Sequence, residues 1–184
     1  MNILNTIILL TCLVVISLGR CEGNVYAIIY ATLDGKTGHA GIAVDNYHII
    51  SSDDAVGDTV ANGTLSYFDL WPSKYDFGLF SYSKDQEAMY YELPNGIWST
   101  PLTLTYLHDF GIPHREHYPP DAILMMRTTP SQDQSLVEYL RRVIAERTTF
   151  NPRFYNCTDF VREALAAILD QKVTCREFIP FSFT

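Results

Sequence analysis

The sequence predicts an α+β fold, an antiparallel sheet packed against helices. Three observations lead to it. Short β-branched and aromatic runs, divided by turn residues, begin at residue 24 and recur up to "AILMMRTT" near residue 128. Two segments with helical apolar spacing follow, one opening at Thr129-Pro130-Ser131 and one at Asn156-Cys157. Strands first and helices last is the α+β order.

The elements can be justified in turn. Residues 1–19, "MNILNTIILLTCLVVISLG", carry no charged side chain and hold an apolar run from Ile7 to Leu18. This reads as a secretory signal peptide, with the small residues Ser17 and Gly19 suiting cleavage before Arg20. A basic leading region is missing, so a membrane anchor is the alternative. The run is short of the ~20 residues of a full span. Arg20 before Cys21 does not suit a lipoprotein site. The expectation is an exported chain, secreted or periplasmic, without a stable membrane anchor, in which residues 20–184 form a single domain.

"NVYAIIYATL" (24–33) reads as a buried strand and "DGKTG" as a turn. "HAGIAV" (39–44), "DN" and "YHIISS" (47–52) read as a hairpin about a two-residue turn at Asp45-Asn46. A polar stretch follows to Thr64. "FGLFSYS", "EAMYYEL" and "AILMMRTT" read as further strands, "LPNG" as a turn and "IPHREHYPP" as a loop. "PLTLTYLHDF" is ambiguous. Pro130 takes its preferred first helical position, and Leu136, Tyr139, Leu140 and Val143 make the apolar face of that helix. In the last helix the face is Phe160, Val161, Ala164, Leu165, Ile168 and Leu169.

Composition narrows the function classes. Hydrophobic residues make up 47% and charged residues 18%, a globular balance. The formal charge is −8. No basic stripe is present, which argues against nucleic acid as a partner and gives no support to attraction toward anionic lipid.

Asn156 can cap the last helix. Cys157 then sits at the positive end of its dipole, where a thiolate is favoured over a thiol. A nucleophilic cysteine needs a base, and the base needs an orienting group. His39 is the candidate base, at the start of a strand between Gly38 and Gly41. If Asp45-Asn46 is a two-residue turn, Ser52 lies opposite His39, and one residue of slip brings Asp53 instead. Geometry favours Ser52; chemistry favours Asp53, because a carboxylate stabilises imidazolium better than a hydroxyl. The Cys157 N–H is the expected oxyanion donor; Tyr155 is near it in sequence only. The bland alternatives are a cysteine that merely packs and a histidine satisfied in a loop.

"YNCTDFV" and "TGHAGIAVDNYHIIS" together resemble the circularly permuted branch of the NlpC-type papain-like cysteine hydrolase superfamily, which includes lecithin retinol acyltransferase-like proteins and bacterial relatives. There the histidine strand precedes the nucleophile helix. The matching positions are Asn156, Cys157, Phe160 and Val161 in one half and His39 to Ile50 in the other. The resemblance implies a permuted papain-like fold with the nucleophile at a helix N-terminus, and no cofactor. It also implies a thiol hydrolase, amidase- or peptidase-like, working through an acyl-enzyme on a peptide or acyl substrate. Relatives often carry a second polar residue, frequently His, on the strand after the histidine strand, and the hairpin offers Ser52 or Asp53 there. The preferred bond is an amide of cell-wall peptides such as peptidoglycan. An acyltransferase or esterase acting on lipid or lipoprotein acyl groups is the second reading, and a non-catalytic binding module the third.

Cys12 falls in the signal, leaving Cys21, Cys157 and Cys175. In an oxidising space spare thiols pair. If Cys157 stays reactive, Cys21 and Cys175 are the natural disulfide; the alternatives are a structural pair with Cys157 or no disulfide. His114 and His117 have metal-like spacing but sit in a Pro-rich loop. Asp53, Asp54 and Asp58 lack calcium-loop spacing. Asn62-Gly-Thr and Asn156-Cys-Thr match the glycosylation sequon; a glycan at Asn156 would cover Cys157.

Overall fold

The computed structural model describes residues 22–31, 38–52, 55–74, 84–94, 100–112, 119–169 and 178–180. The signal segment, Cys21, Cys175, Asp53, "FGLFSYS" and the His114–His117 loop therefore lie outside the described residues. Among the described residues the strands are β1 (Gly23–Tyr30), β2 (His39–Ser52), β3 (Ala55–Pro72), β4 (Gln86–Leu93), β5 (Ala122–Thr128), β6 (Thr149–Phe150) and β7 (Phe178–Pro180), and the helices are α1 (Leu104–Phe110), α2 (Pro130–Glu146) and α3 (Cys157–Leu169). The strands form one sheet in the order β6-β4-β3-β2-β1-β5-β7, every neighbour antiparallel. None of the described helices is long and apolar enough to cross a membrane.

Alternation sorts the side chains of the central strands onto two layers. Val25 and Ala27 of β1, Ala40, Ile42 and Val44 of β2, and Phe68 and Leu70 of β3 pack under α2 and α3, against Leu136, Leu140, Phe160, Val161, Ala164 and Ile168. Tyr26, Ile28, Tyr30, Ala43, Leu65 and Tyr67 face the other way, toward Leu102, Leu107 of α1 and Ile112. Helical apolar residues meeting a doubly covered sheet explain why β1 reads as a continuous apolar run. The ambiguous "PLTLTYLHDF" resolves as helix because Thr103 caps it, accepting from the Tyr106 N–H at 3.1 Å, and Gly111, at a φ of 74°, ends it. Thr129 and Gln132 form a reciprocal capping box that starts α2 with Pro130 in its first turn.

One expectation is overturned. Asp45-Asn46 is not a turn: β2 runs unbroken from His39 to Ser52. Ala55 to Thr64 of the polar stretch forms the first half of β3, which pairs with β2 from Ser52–Ala55 back to Tyr47–Ala61. The irregularity lies in β3, where Asn62, Gly63 and Thr64 bulge opposite Asn46. The register shifts between Asp45 and Tyr47, Gly63 opposite takes a φ of 78°, and Asn46 bridges to Thr64 Oγ1 at 3.1 Å and Ser66 Oγ at 2.7 Å. Asp45 itself is buried, bonded by Asn24 and Tyr26 of β1.

Candidate active site

The site is assembled where β2 begins, β3 ends and α3 begins. Asn156 caps α3. Its Oδ1 accepts from the N–H groups of Thr158 at 2.9 Å and Asp159 at 3.4 Å, and Asp159 Oδ2 accepts from the Asn156 N–H at 3.2 Å. The Asn156 Nδ2 donates to the Pro152 carbonyl at 3.1 Å. None of these bonds takes the Cys157 N–H, which is left at the positive end of the helix.

Packing of α3 across β2 brings Cys157 to His39. Cys157 is half-buried and its thiol is free. The His39 imidazole, the Ala40 N–H and the Thr158 hydroxyl all lie near enough to the sulfur to shift its protonation. Burial pushes the thiol up, but the hydrogen bond and charge of His39, with those two further donors, outweigh it, so the thiol lies below its ordinary 9.0.

His39 is 4% exposed. Its Nε2 bonds Asp69 Oδ2 at 3.0 Å, which leaves Nδ1 as the nitrogen for the sulfur. Burial lowers the imidazole, yet the Asp69 hydrogen bond, the Cys157 hydrogen bond and the charges of both raise it further, to about 9. A lowered thiol beside a raised imidazole favours a thiolate–imidazolium pair near neutral pH.

Asp69 is therefore the orienting group of this site, which corrects the sequence expectation. Ser52 stands at the far end of the same strand as His39, opposite Ala55, and Asp53 lies outside the described residues. The physical reason is the absent turn. With β2 continuous, His39 pairs with Tyr30 on one side, and β3 returns past its other side in the register that sets Gly41 against Asp69. His48 is exposed and pairs with Val60, away from the site. Tyr155 lies with its ring under the Arg147 guanidinium, 4.4 Å from it.

Strand periodicity builds the surroundings of Asp69. Tyr67, Asp69 and Trp71 are alternate residues of β3 and share a face. Asp69 is fully buried, and its Oδ2 accepts from Tyr67 Oη at 3.2 Å and Trp71 Nε1 at 2.7 Å besides His39. Trp71 also stacks on the imidazole, centroids 3.9 Å apart and planes 20° from parallel, and Tyr30 flanks it at 6.3 Å. A buried carboxylate needs such converging donors to remain charged. Gly41 makes the arrangement possible: a Cβ there would run into the Tyr67 ring and hydroxyl. The sequence did carry a signal, "YFDLW", in which one carboxylate interrupts an aromatic and apolar alternation. A charge in such a run calls for a partner inside the fold.

Among the described residues no group of three His, Cys, Asp or Glu side chains is placed to hold a metal ion. The Cys21–Cys175 pairing falls outside the described residues. No family model, curated protein or solved structure matches this chain.

Proposed function

We propose that this chain is a cysteine hydrolase of permuted papain-like type that cleaves an amide bond, of the cell-wall peptide kind, through an acyl-enzyme. The observation that carries the reading is the convergence of Cys157, His39 and Asp69, with the sulfur at a helix N-terminus, an imidazole near enough to lower it, and that imidazole bonded to a buried carboxylate.

The Cys157 thiolate attacks the substrate carbonyl carbon, and the oxygen that gains the charge is stabilised by the Cys157 N–H. The tetrahedral intermediate collapses as imidazolium Nδ1 gives its proton to the leaving nitrogen, releasing the amine and forming a thioester. Water then attacks the thioester carbon while His39 takes its proton. Collapse returns the thiolate, the imidazolium and a free carboxylic acid. Asp69 holds the ring orientation throughout and stabilises its charged form.

The test has two arms. A carbonyl-reactive electrophile at mildly acidic pH labels Cys157 in the native chain and fails to label it in His39→Ala. Equal labelling of both removes the ion pair and with it the enzyme. Purified protein is then incubated with peptidoglycan and, separately, with acylated lipids and lipoproteins. Release of peptide fragments supports the amidase; release of fatty acid alone replaces it with the lipid acyl reading. Labelling without turnover of either leaves a binding module on the same fold.

A further inference from the structure

A second buried polar cluster lies where β1, β2, β5 and the first turn of α2 meet. Asp133 is 1% exposed and Asp45 8% exposed. The Tyr47 hydroxyl donates to Asp133 Oδ2. Gly23 lies directly beneath: a Cβ at that position would collide with the Tyr47 hydroxyl and with Asp133. Asp133 Oδ1 and the Thr128 hydroxyl are both buried with no hydrogen bond of ordinary geometry, although the hydroxyl lies near enough to favour the carboxylate. Asp45 is held by Asn24 Nδ2 at 2.9 Å and Tyr26 Oη at 3.4 Å.

Both carboxylates border a cleft of about 870 Å³. The groups facing them can be named from each element. From β1 come Glu22, just ahead of the strand, and Tyr26; from β2, Asp45 and Tyr47; from α2, Glu138 and Arg141. Thr59 and Ser66 of β3 and Thr128 of β5 add no charge. Arg141 is the one cation among these described residues, and its guanidinium is taken by Glu92 at 2.6 Å. Two buried carboxylates thus share a site with no cation of their own, an arrangement that favours the neutral acid.

We propose that Asp133 is a proton-operated latch, which holds the start of α2 on the sheet while its buried carboxyl is neutral and loosens it when loss of the proton leaves a buried charge with no cation to balance it, the Tyr47 hydroxyl setting the pH at which this happens. A proton on Oδ1 makes that atom a donor facing Thr128, while Oδ2 keeps the Tyr47 bond. Burial pushes Asp133 from the usual 3.8 up to about 7; Thr128 and Tyr47 oppose this and the Asp45 charge adds to it. Burial likewise raises Asp45. Between 3.8 and about 7 the native chain holds a proton that the unfolded chain has lost. The contribution is therefore complete below 3.8 and is lost progressively as pH rises from there to about 7. Because α2 packs on α3, which begins at Cys157, release loosens the helix layer behind the thiol.

Thermal unfolding of the full chain from about pH 5 to about pH 8 tests the latch. Relative to Asp133→Asn, which keeps the shape without the charge, the native protein loses several degrees of Tm across that range. In Tyr47→Phe the loss moves to higher pH, because the bond removed is one that lowers Asp133. At matched pH above neutrality, amide exchange in residues 131–136 is faster in the native chain than in Asp133→Asn. Parallel Tm curves for native and Asp133→Asn overturn the latch, as does an unmoved transition in Tyr47→Phe. The second variant decides alone if Asp133→Asn does not fold. No readout involves catalysis, so failure here leaves the Cys157 proposal untouched.

Discussion

At Asp69 Oδ2 three donors converge, the His39 ring, the Tyr67 hydroxyl and the Trp71 indole, and this one atom sets the protonation of the site. Asp69→Ala removes the partner of the imidazole and lowers kcat/KM by roughly 100-fold, whereas Ser52→Ala leaves it unchanged; steady-state kinetics on the two variants decides. The thiolate follows the same logic. Alkylation of Cys157 by a neutral haloacetamide keeps a plateau below the ordinary thiol value of 9.0 and changes again near 9, where His39 gives up its proton. In His39→Ala the plateau vanishes and the titration moves up, since burial then acts unopposed by the imidazole. Cys157→Ala abolishes hydrolysis at a stability cost below about 2 kcal/mol, because a half-buried thiol fills little core volume. A large drop in Tm with surviving activity would mark a packing cysteine instead.

At the scale of elements, the start of α3 and the edge of β2 each rest on one residue. Asn156 caps the nucleophile helix through Oδ1 and is tied to Pro152 through Nδ2. Asn156→Ala costs about 1 kcal/mol of stability and also slows alkylation of Cys157, since the cap holds the first turn that carries the sulfur. Measuring Tm and alkylation rate together separates the two effects. Asn156→Asp keeps the capping oxygen but gives up the Nδ2 bond to Pro152, so it restores both only in part. Gly41 has a different role: Tyr67 lies across its backbone. Gly41→Ala must displace the Tyr67 ring, and with it one donor on Asp69, so it lowers activity more than a surface Gly→Ala change would. Gly41→Ala combined with Tyr67→Phe does not recover the native rate, because the ring carbons still meet the new Cβ and the donor to Asp69 is lost as well.

The whole molecule gathers its site from three distant places in the chain, residue 39 on β2, residue 69 on β3 and residue 157 on α3, by closing the sheet antiparallel and laying α3 across it. The expected export and the odd count of three cysteines after the signal carry a prediction at this scale. Mass mapping under non-reducing conditions finds one alkylatable thiol, at Cys157, and Cys21 linked to Cys175. Cys157 found in a disulfide would end both the pairing and the hydrolase.

What the sequence determined by itself was whatever depends on neighbours within one element. Helical spacing and caps placed α2 and α3, and β-branched runs placed β1, β4 and β5, because a 3.6- or 2-residue period is written locally. Cys157 and His39 were legible for the same reason: a capped helix start and a glycine-flanked strand start are local features. Asp69 was not. Its role depends on register across β2 and β3, and Asp45-Asn46 carries the composition of a turn whether it ends a strand or runs on opposite a bulge in the next. Only the tertiary structure decided between them. Asp45 is drawn into the sheet by Asn24 and Tyr26, and Asn46 is bridged to β3. These bonds keep β2 straight past the turn signal and bring the carboxylate of β3, not the hydroxyl of Ser52, against the imidazole. The latch at Asp133 was hidden for the same reason, since a carboxylate in the first turn of a helix looks like a dipole partner until the sheet buries it beside Asp45 with no cation to spare.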